Sequence, residues 1–430
     1  MKILSALSVC FAFFISSPSL AQETTSKTLL INADLIDVVK GKLVKNQAIA
    51  IENGKITFVG NASKAPDGDW ETLDMAGATL LPGLSDSHVH LTSNASDHGY
   101  RRLTISTPRA AINGVANAKK TLLAGFTSVR NLGAPGYADI ALKDSIEDGI
   151  VIGPRIIASG PSLGITGGHC DSNLLPFEYQ NKAEGVADGP WAVRAKVRQN
   201  NKYGAEVIKF CGTGGVLSKG TKLGAQQFTF EEMAAIVDEA HLLGLKVAVH
   251  AHGSDGIATA LKAGVDSVEH ASMITDEDIQ VAIEQGTYLS MDIYVSDFIL
   301  SEGEAAGILE ESLEKERKVG RLQRERFQAA VKAGAKMAFG TDGGVYSHGL
   351  NARQFAKMVE WGMTPMQAIQ ASTIGNATLF GTETNTGSIE VGKFADIVAV
   401  SANPLTDVSE LEDIDFVMKD GVVYKNTITQ

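Results

Sequence analysis

Residues 78–90, ATLLPGLSDSHVH, join an apolar run to a His-x-His pair and form the most informative stretch of this chain. An extended strand directs alternate side chains to the same face, so His88 and His90 are expected to project together. Two imidazoles on one face can begin a metal site, but they can equally be a pair of structural histidines. The choice depends on whether further ligand-type side chains stand at the ends of later strands.

The composition is that of an ordinary globular protein. The chain has 430 residues, of which 44% are hydrophobic and 20% charged, and this length suits one large α/β barrel with a smaller domain. The formal net charge of −12 argues against nucleic-acid binding and against a basic membrane-surface protein.

The N-terminus has the pattern of an export signal. Lys2 supplies the positive start, residues 3–15 are apolar, and Ser-Leu-Ala at 19–21 offers a small-x-small cleavage site. The apolar run is too short to anchor the chain in a bilayer. We therefore expect a signal peptide over residues 1–21, a mature chain that begins near Gln22 with no membrane span, and a periplasmic or secreted location.

Two cysteines, Cys170 and Cys211, remain in the expected mature chain. Each follows a predicted strand, and the two strands would be neighbours, so the cysteines could pair in an oxidising compartment. Because disulfide geometry is demanding, two separate free thiols are the favoured expectation.

Short strand-like runs separated by turns occupy both ends of the chain. Asn-Gly at 53–54 and Asp-Gly at 420–421 each stand between such runs and predict tight β-hairpins. Neither end alone is long enough to form an independently stable domain. Residues 22–80 and 385–430 are therefore expected to build one small β-sandwich together.

Strand-like and helix-like segments alternate between these ends, over residues 81–384. The alternation predicts an α/β fold, a (β/α)8 TIM barrel whose active site lies at the carboxyl ends of its parallel strands. A doubly wound open sheet is the alternative, but no glycine-rich dinucleotide fingerprint follows the first strand. The acid-rich segment 301–326 is expected to be a solvated helical face with no binding role. The predicted strands are residues 79–90, 126–131, 155–160, 206–210, 246–250, 267–270, 287–293 and 336–342.

Ligand-type residues recur at the ends of these predicted strands. Besides the first histidine pair they are Lys209, His250, His252, His270 and Asp342. A single histidine at a strand end more often hydrogen-bonds a loop. Suitable residue types on five separate strands converge on one mouth if the strands form a parallel barrel, which favours a shared metal site.

Three short motifs and a C-terminal segment make the chain similar to a known family. The motifs are TGGH at 166–169, VHAHG at 249–253 and GTDG at 340–343, and the segment is GSIEVGKFADIV at 387–398. The chain resembles the metal-dependent amidohydrolase superfamily over nearly the whole mature sequence. Within it, the motifs are most similar to those of the branch that contains prolidase-like, carboxypeptidase-like and ochratoxin-hydrolysing enzymes.

The resemblance implies a site for two divalent metal ions, with Zn²⁺ the expected metal. The ligands that it implies are His88, His90 and Asp342 for one ion, His250 and His270 for the other, and a carbamylated Lys209 that bridges both. Neutral imidazoles and a carboxylate suit Zn²⁺. A free lysine is protonated near neutrality, whereas its carbamate is an anionic oxygen donor.

The resemblance also implies roles toward the substrate. Asp342 would take a proton from the nucleophile and pass it to the departing amine. His169, in the glycine-rich loop after the third strand, would hydrogen-bond the scissile carbonyl or the substrate carboxylate. His252 would contact the substrate or orient His250. Tyr294, just beyond the seventh strand, is a substrate-binding candidate or only an aromatic side chain at the rim.

The expected activity is hydrolysis of the amide bond of a small molecule, either a dipeptide or an N-acyl or N-aroyl amino acid, by a metal-activated hydroxide. The alternative is a mononuclear deaminase or an imidazolonepropionase-like hydrolase of cyclic amides, but such sites usually lack the lysine that stands here as Lys209. A non-enzymatic envelope binding protein is disfavoured because every expected ligand is present. A homo-oligomer is expected because members of the family often assemble.

Overall fold

The computed structural model of the protein describes residues 27–428. The predicted signal peptide at residues 1–21 lies outside the described residues. Within them, no helix is both long enough and apolar enough to cross a membrane.

Sixteen strands are present in the described chain. They are β1 (Lys27–Asp37), β2 (Lys42–Glu52), β3 (Lys55–Asn61), β4 (Glu71–Asp74), β5 (Thr79–Pro82), β6 (Leu84–Val89), β7 (Phe126–Asn131), β8 (Arg155–Ala158), β9 (Val207–Cys211), β10 (Lys246–Ala251), β11 (Ser267–His270), β12 (Tyr288–Ser290), β13 (Met337–Ala338), β14 (Ile397–Val400), β15 (Phe416–Lys419) and β16 (Val422–Asn426).

Most of the helices follow the strands from β6 onward. They are α1 (Thr107–Leu123), α2 (Ala138–Glu147), α3 (Pro190–Lys202), α4 (Phe230–Leu242), α5 (Ser254–Ala263), α6 (Asp276–Gln285), α7 (Val295–Ser301), α8 (Gly303–Ala306), α9 (Glu310–Ala333), α10 (Arg353–Glu360), α11 (Pro365–Gln370) and α12 (Asn376–Phe380). A π-helical turn at Ala371–Gly375 joins the last two.

Strands from both ends of the chain pair in one eight-stranded sheet, in the order β16-β15-β14-β5-β1-β2-β3, with β4 beside β1. Both predicted hairpins are confirmed, since Asn53 and Gly54 have φ values of 50° and 76°, and Asp420 and Gly421 of 52° and 76°. A two-residue turn with positive φ at both central residues has a backbone twist that matches the twist of the flanking strands. Adjacent residues of β1, Leu29 and Leu30, belong to two different apolar clusters, so both faces of the sheet are covered.

The central strands are all parallel and form a five-stranded sheet, β13-β12-β11-β10-β9, and a three-stranded sheet, β6-β7-β8. Backbone hydrogen bonds link the two sheets at both edges. Ser87 N donates to Phe339 O at 2.8 Å on one side, and Leu163 N donates to Lys209 O at 2.8 Å on the other. The α/β class is confirmed, and a strand lies within each of the eight predicted segments.

The first predicted strand, residues 79–90, is in fact divided at Gly83. Residues up to Pro82 pair in the terminal sheet, and β6 begins at Leu84 in the three-stranded parallel sheet. A side chain at Gly83 would lie 2.2 Å from Thr127 Oγ1, so only glycine allows the chain to pass this close to β7.

Arg155 of β8 connects the parallel strands to the terminal sheet. Its guanidinium pairs with Asp396 and Asp420, and it stacks 4.6 Å from the centre of the Phe394 ring. The Asp396 side chain is only 5% exposed, so its charge depends on this partner for compensation.

We expect Arg155→Met to lower the stability of the protein by about 2 kcal/mol, because it leaves the Asp396 carboxylate buried without its cation. The midpoint of urea unfolding measures the effect. Arg321→Met is the matched control, since Arg321 pairs with Glu325 in an exposed position and should change stability by less than about 0.5 kcal/mol. Equal effects of the two substitutions would contradict the role given to Arg155.

Candidate active site

The six predicted metal ligands lie together at the carboxyl ends of the parallel strands. His88 is in β6, Lys209 in β9, His250 in β10 and His270 in β11, while His90 follows β6 and Asp342 follows β13. The strands are parallel, so side chains at their carboxyl ends meet on one side of the sheets.

His88, His90 and Asp342 form the first group. One ligand atom of each lies within 4.8 Å of the others. Asp342 Oδ1 is 3.2 Å from His90 Nε2 and 3.6 Å from His88 Nε2. Burial opposes ionisation of Asp342, but the hydrogen bond from His90 and the nearby imidazoles lower the pKa of its carboxyl below the usual range, so it is a carboxylate.

His250, His252 and His270 form the second group, again with ligand atoms within 4.8 Å of one another. The rings of His250 and His270 are 4.5 Å apart, and His252 stacks on His270 at 4.8 Å. Burial lowers the pKa of His250 and His252 well below the usual value, so both are neutral imidazoles with lone pairs available. His252, predicted as a substrate contact, is thus also close enough to join a ligand set.

Lys209 lies beside the first group and close enough to the second for its charge to act on His250 and His270. Its Nζ is 3.4 Å from His88 Nε2, and the ring of His88 is 5.1 Å from that of His270. Burial lowers the pKa of Lys209 to about 8, although Glu269 and Asp342 oppose the shift. A lysine with this pKa is partly neutral near pH 8, and its amine is then a nucleophile.

A buried ion pair, formed by Arg130 and Glu269, lies beside the Nδ1 atom of His88. His88 Nδ1 is 3.2 Å from Glu269 Oε2, and the other oxygen of Glu269 accepts from Arg130 Nη2 at 2.6 Å. Arg130 also donates to Ser87 O and to Ser267 Oγ. Burial opposes ionisation of Glu269, but Arg130 and His88 lower its pKa below the usual range. A carboxylate facing Nδ1 favours a proton on that nitrogen and leaves Nε2 as the free donor atom.

His270 has a similar partner on the opposite side. Its Nδ1 is 2.9 and 3.0 Å from the two oxygens of Asp292, and Asp292 accepts from Gln323 Nε2 at 2.9 Å. Gln323 belongs to α9, within the segment expected to be a solvated face. That expectation is wrong for one side of the helix, because Lys315, Glu316 and Gln323 are all buried.

The backbone at two of the strand ends adopts a conformation that is rare for residues other than glycine. His270 has φ 68°, Ala271 φ 47° and Asp342 φ 55°. Such residues cost about 1–3 kcal/mol each and persist where the surroundings fix them. Here Ala271 N donates to Ala251 O at 3.1 Å, and Asp342 N donates to His88 O at 2.8 Å.

His169 lies against the second group. Its ring stacks on that of His250 at 4.0 Å, its Nδ1 is 2.8 Å from Ser218 Oγ, and its backbone N donates to Gln227 Oε1 at 3.0 Å. Burial is the largest cause that lowers the pKa of His169, to about 3, so the ring is neutral. Its position beside His250 is compatible with the predicted contact to substrate.

Cys170 and Cys211 form a disulfide, with Cα atoms 5.9 Å apart, so the expectation of two free thiols is wrong. The physical reason is the pairing between strands that the sequence could not specify. Cys211 N donates to Leu163 O at 2.9 Å, which places the segment after β8 directly beside β9.

Tyr294 lies outside the histidine groups. Its hydroxyl accepts from Arg353 Nη1 at 2.9 Å, and its ring packs edge-on against Tyr346 at 5.1 Å. It belongs to an apolar cluster that includes Val345, three residues beyond Asp342. Tyr294, which the sequence predicts to contact substrate, therefore lies near the loop after β13, and its hydroxyl contacts Arg353 and not the predicted metal ligands.

The donor set fits a metal centre. His250 Nε2 is buried and has no hydrogen-bond partner among residues 27–428, so this nitrogen is available to bind a metal ion. Imidazoles with one carboxylate form a set of nitrogen and oxygen donors that suits Zn²⁺ and similar cations.

The supporting residues Arg130, Glu269, Asp292, Gln323 and Ser218 were missed by sequence reasoning because they belong to no motif. One signal was available for three of them. Arg130, Glu269 and Asp292 are charged residues inside predicted buried strands, and a buried charge needs a partner of opposite sign or a hydrogen bond.

Comparison with known proteins identifies the family of this chain. The amidohydrolase family model matches residues 79–424. Ochratoxinase of Aspergillus niger is 32% identical over 432 residues, which cover 94% of this chain and 88% of that protein.

Two solved structures are similar over almost the whole chain. A Xaa-Pro dipeptidase with methionine bound in its active site has a TM-score of 0.88 and 38% identity, covering 93% of this chain and 100% of that one. A prolidase complexed with N-methylphosphonate-L-proline has a TM-score of 0.84 and 29% identity, with the same coverage. The resemblance inferred from the three motifs is confirmed. The chain belongs to the amidohydrolase family and is a hydrolase that acts on amide bonds.

Proposed function

We propose that the protein is a binuclear metal-dependent amidohydrolase that cleaves the amide bond of dipeptides or of N-acyl and N-aroyl amino acids. The observation that carries the proposal is the position of Lys209, which is buried, lies 3.4 Å from His88 Nε2, and is close enough to the second group for its charge to act on His250 and His270. A lysine in this position is difficult to explain with a single metal ion. The proposal includes a (β/α)8 barrel formed by the two parallel sheets, and a β-sandwich formed by the two chain ends.

The proposed ligand set is the one that the resemblance implied. His88, His90 and Asp342 would hold one ion and His250 and His270 the other, with the carbamate of Lys209 as a ligand shared by both. The carbamate forms when the neutral amine adds CO₂ and loses a proton, and the lowered pKa of Lys209 favours the neutral amine. When bound, two divalent cations, most simply Zn²⁺, supply Lewis acidity that polarises the amide carbonyl and acidifies water.

Asp342 is the proposed proton carrier. Its carboxylate lies beside His88 and His90, where it would accept the proton of the attacking water and deliver it to the nitrogen of the departing amine. No covalent bond between enzyme and substrate is required.

His169 and His252 are the proposed substrate contacts. In each ring Nδ1 is 2.8 Å from a serine hydroxyl, Ser218 Oγ for His169 and Ser272 Oγ for His252, which leaves Nε2 for a ligand. Both rings are neutral, so each can donate one N–H to the carbonyl or carboxylate of a substrate. Tyr294 is a weaker candidate because its hydroxyl already accepts from Arg353.

The substrate class is supported by what the relatives are named for. One is an ochratoxinase, one a Xaa-Pro dipeptidase with methionine in its active site, and one a prolidase with a phosphonate analogue of an acylated proline. We propose that this chain likewise releases an amino acid with a free carboxylate. A periplasmic or secreted location and a homo-oligomeric state are part of the proposal.

A library of dipeptides and N-acyl amino acids tests the function directly. The zinc-loaded enzyme is expected to hydrolyse some of these compounds and Asp342→Asn none of them, with ninhydrin detection of the released amino acid. Deamination of a purine or pyrimidine, or opening of an imidazolone ring, without turnover in this library would contradict the proposal.

Lys209→Ala tests the bridging ligand. We expect metal content to fall from about two ions per chain to about one, and kcat to fall on the order of 10²–10³-fold, because a group that organises charge in the transition state is lost. Propionate or another short carboxylic acid should restore part of the activity by replacing the carbamate oxygens.

Lys246→Ala is the matched control for that variant. Lys246 begins the neighbouring strand β10, and its Nζ donates to Thr378 O, at the end of the strand opposite the site. Its metal content and activity should be unchanged. Full activity with two bound ions in Lys209→Ala would contradict the bridging role.

Glu269→Gln tests the carboxylate that faces His88. The amide keeps the shape but loses the charge that orients the imidazole, so we expect affinity for Zn²⁺ to fall about 10–100-fold, measured by competition with a chelator. Glu239→Gln is the control, because Glu239 is also a carboxylate paired with arginines, Arg194 and Arg198 of α3, and it lies outside the site. Equal affinities of Glu269→Gln and the unchanged enzyme would refute this role.

A further inference from the structure

The disulfide lies within the candidate active site. Cys170 directly follows His169, and Cys211 ends β9 two residues after Lys209. Cys211 is paired in register with His250, and Gly212 N donates to His250 O at 2.9 Å. The cross-link therefore joins the residue beside His169 to the strand that carries Lys209.

The segment that contains His169 has little secondary structure of its own. Between β8, which ends at Ala158, and α3, which begins at Pro190, the only helical turn described is Phe177–Tyr179. Thr166 and Gly167 are exposed. A long irregular connection of this kind is held by its individual contacts and not by a sheet or helix.

The space around His169 leaves little tolerance for movement. A side chain at Gly215 would lie 2.3 Å from His169 Cε1 and 2.7 Å from His250 Nε2, so the loop after β9 closes directly over both rings. On the other side, Cys170 Cβ lies 2.8 Å from where a side chain at Gly164 would begin. The loop after β9 therefore lies close to the stacked rings of His169 and His250, while the backbone at Gly164 lies close to Cys170.

We propose that the Cys170–Cys211 disulfide is a positioning element that holds the His169 ring against His250 in its working orientation, so that amide hydrolysis depends on the oxidised pair. The proposal rests on the substrate-binding role of His169 given above. A single covalent link one residue away restricts the His169 backbone more strongly than its hydrogen bonds to Ser218 and Gln227 can. Displacing a positioned group by about 1 Å can cost on the order of 10²-fold in rate.

Reduction opens this link without changing the composition of the site. With dithiothreitol the S–S bond accepts two electrons and two protons to give two thiols, while the reagent is oxidised to its cyclic disulfide. The histidines, Lys209 and Asp342 are not consumed. Because a dithiol also binds Zn²⁺, the metal content of the reduced enzyme is measured as well, and loss of activity with unchanged metal content reports on position.

The kinetic test compares Cys170→Ser/Cys211→Ser in two backgrounds, the natural chain and His169→Ala. In the natural background we expect kcat/KM to fall about 10-fold or more with unchanged metal content and circular dichroism, and the double variant to be insensitive to dithiothreitol. In the His169→Ala background removing the cysteines should cost nothing further. An equal loss in both backgrounds, or no loss in either, would overturn the proposal.

A labelling experiment tests the same point without relying on turnover. Diethyl pyrocarbonate modifies neutral imidazoles, and mass spectrometry gives the rate at His169 relative to His241, a histidine on α4 that pairs with Asp266 far from the disulfide. We expect this ratio to rise several-fold in Cys170→Ser/Cys211→Ser. An unchanged ratio overturns the positioning role, even if the proposed substrates are also not hydrolysed, whereas a raised ratio without hydrolysis counts against the proposed function alone.

Discussion

The buried pair of Arg130 and Glu269 is the interaction on which the site depends. Both side chains are almost completely enclosed, at 2% and 0% exposure. Removing either partner would leave a charge in a medium of low dielectric constant, which proteins tolerate poorly. The pair spans β7 and β11 and, through Ser87 O and His88 Nδ1, also contacts β6. These two opposite charges therefore fix the relative positions of β6, β7 and β11 and hold His88 in place.

The second support comes from outside the strands. Gln323 of helix α9 donates a hydrogen bond to Asp292, and Asp292 in turn contacts His270 Nδ1. Lys315 of the same helix donates to Ser218 O and so holds the loop that contacts His169. A helix rich in charged residues can thus carry a functional face when some of those residues point inward. Burial of a long charged side chain is acceptable where its terminal group finds a carbonyl or a carboxylate.

The parts of the fold that follow from local chemistry were predictable. Asn53-Gly54 and Asp420-Gly421 form the expected hairpins because few other residues accept positive φ at both turn positions. The parallel strands lie within the predicted segments because their apolar runs are bounded by turns and helices. The division at Gly83 was not predictable, since it depends on the approach of Thr127 from another strand.

The candidate site divides in the same way. The residue types at strand ends, His88, His90, Lys209, His250, His270 and Asp342, could be identified from the chain because parallel strands bring their carboxyl ends together whatever the loops do. The partners of these residues could not, since Arg130 and Glu269 are 139 positions apart and meet only across the sheets.

The sequence by itself determined the α/β class, the hairpins, the family and the candidate ligand side chains, because each depends on local pattern or on residue type. Only the tertiary structure decided that Arg130 pairs with Glu269 next to His88, that Cys170 and Cys211 form a disulfide, and that the Tyr294 hydroxyl accepts a hydrogen bond from Arg353. The physical reason is distance along the chain. Contacts between residues far apart are set by how strands and helices pack, and no local signal encodes that packing.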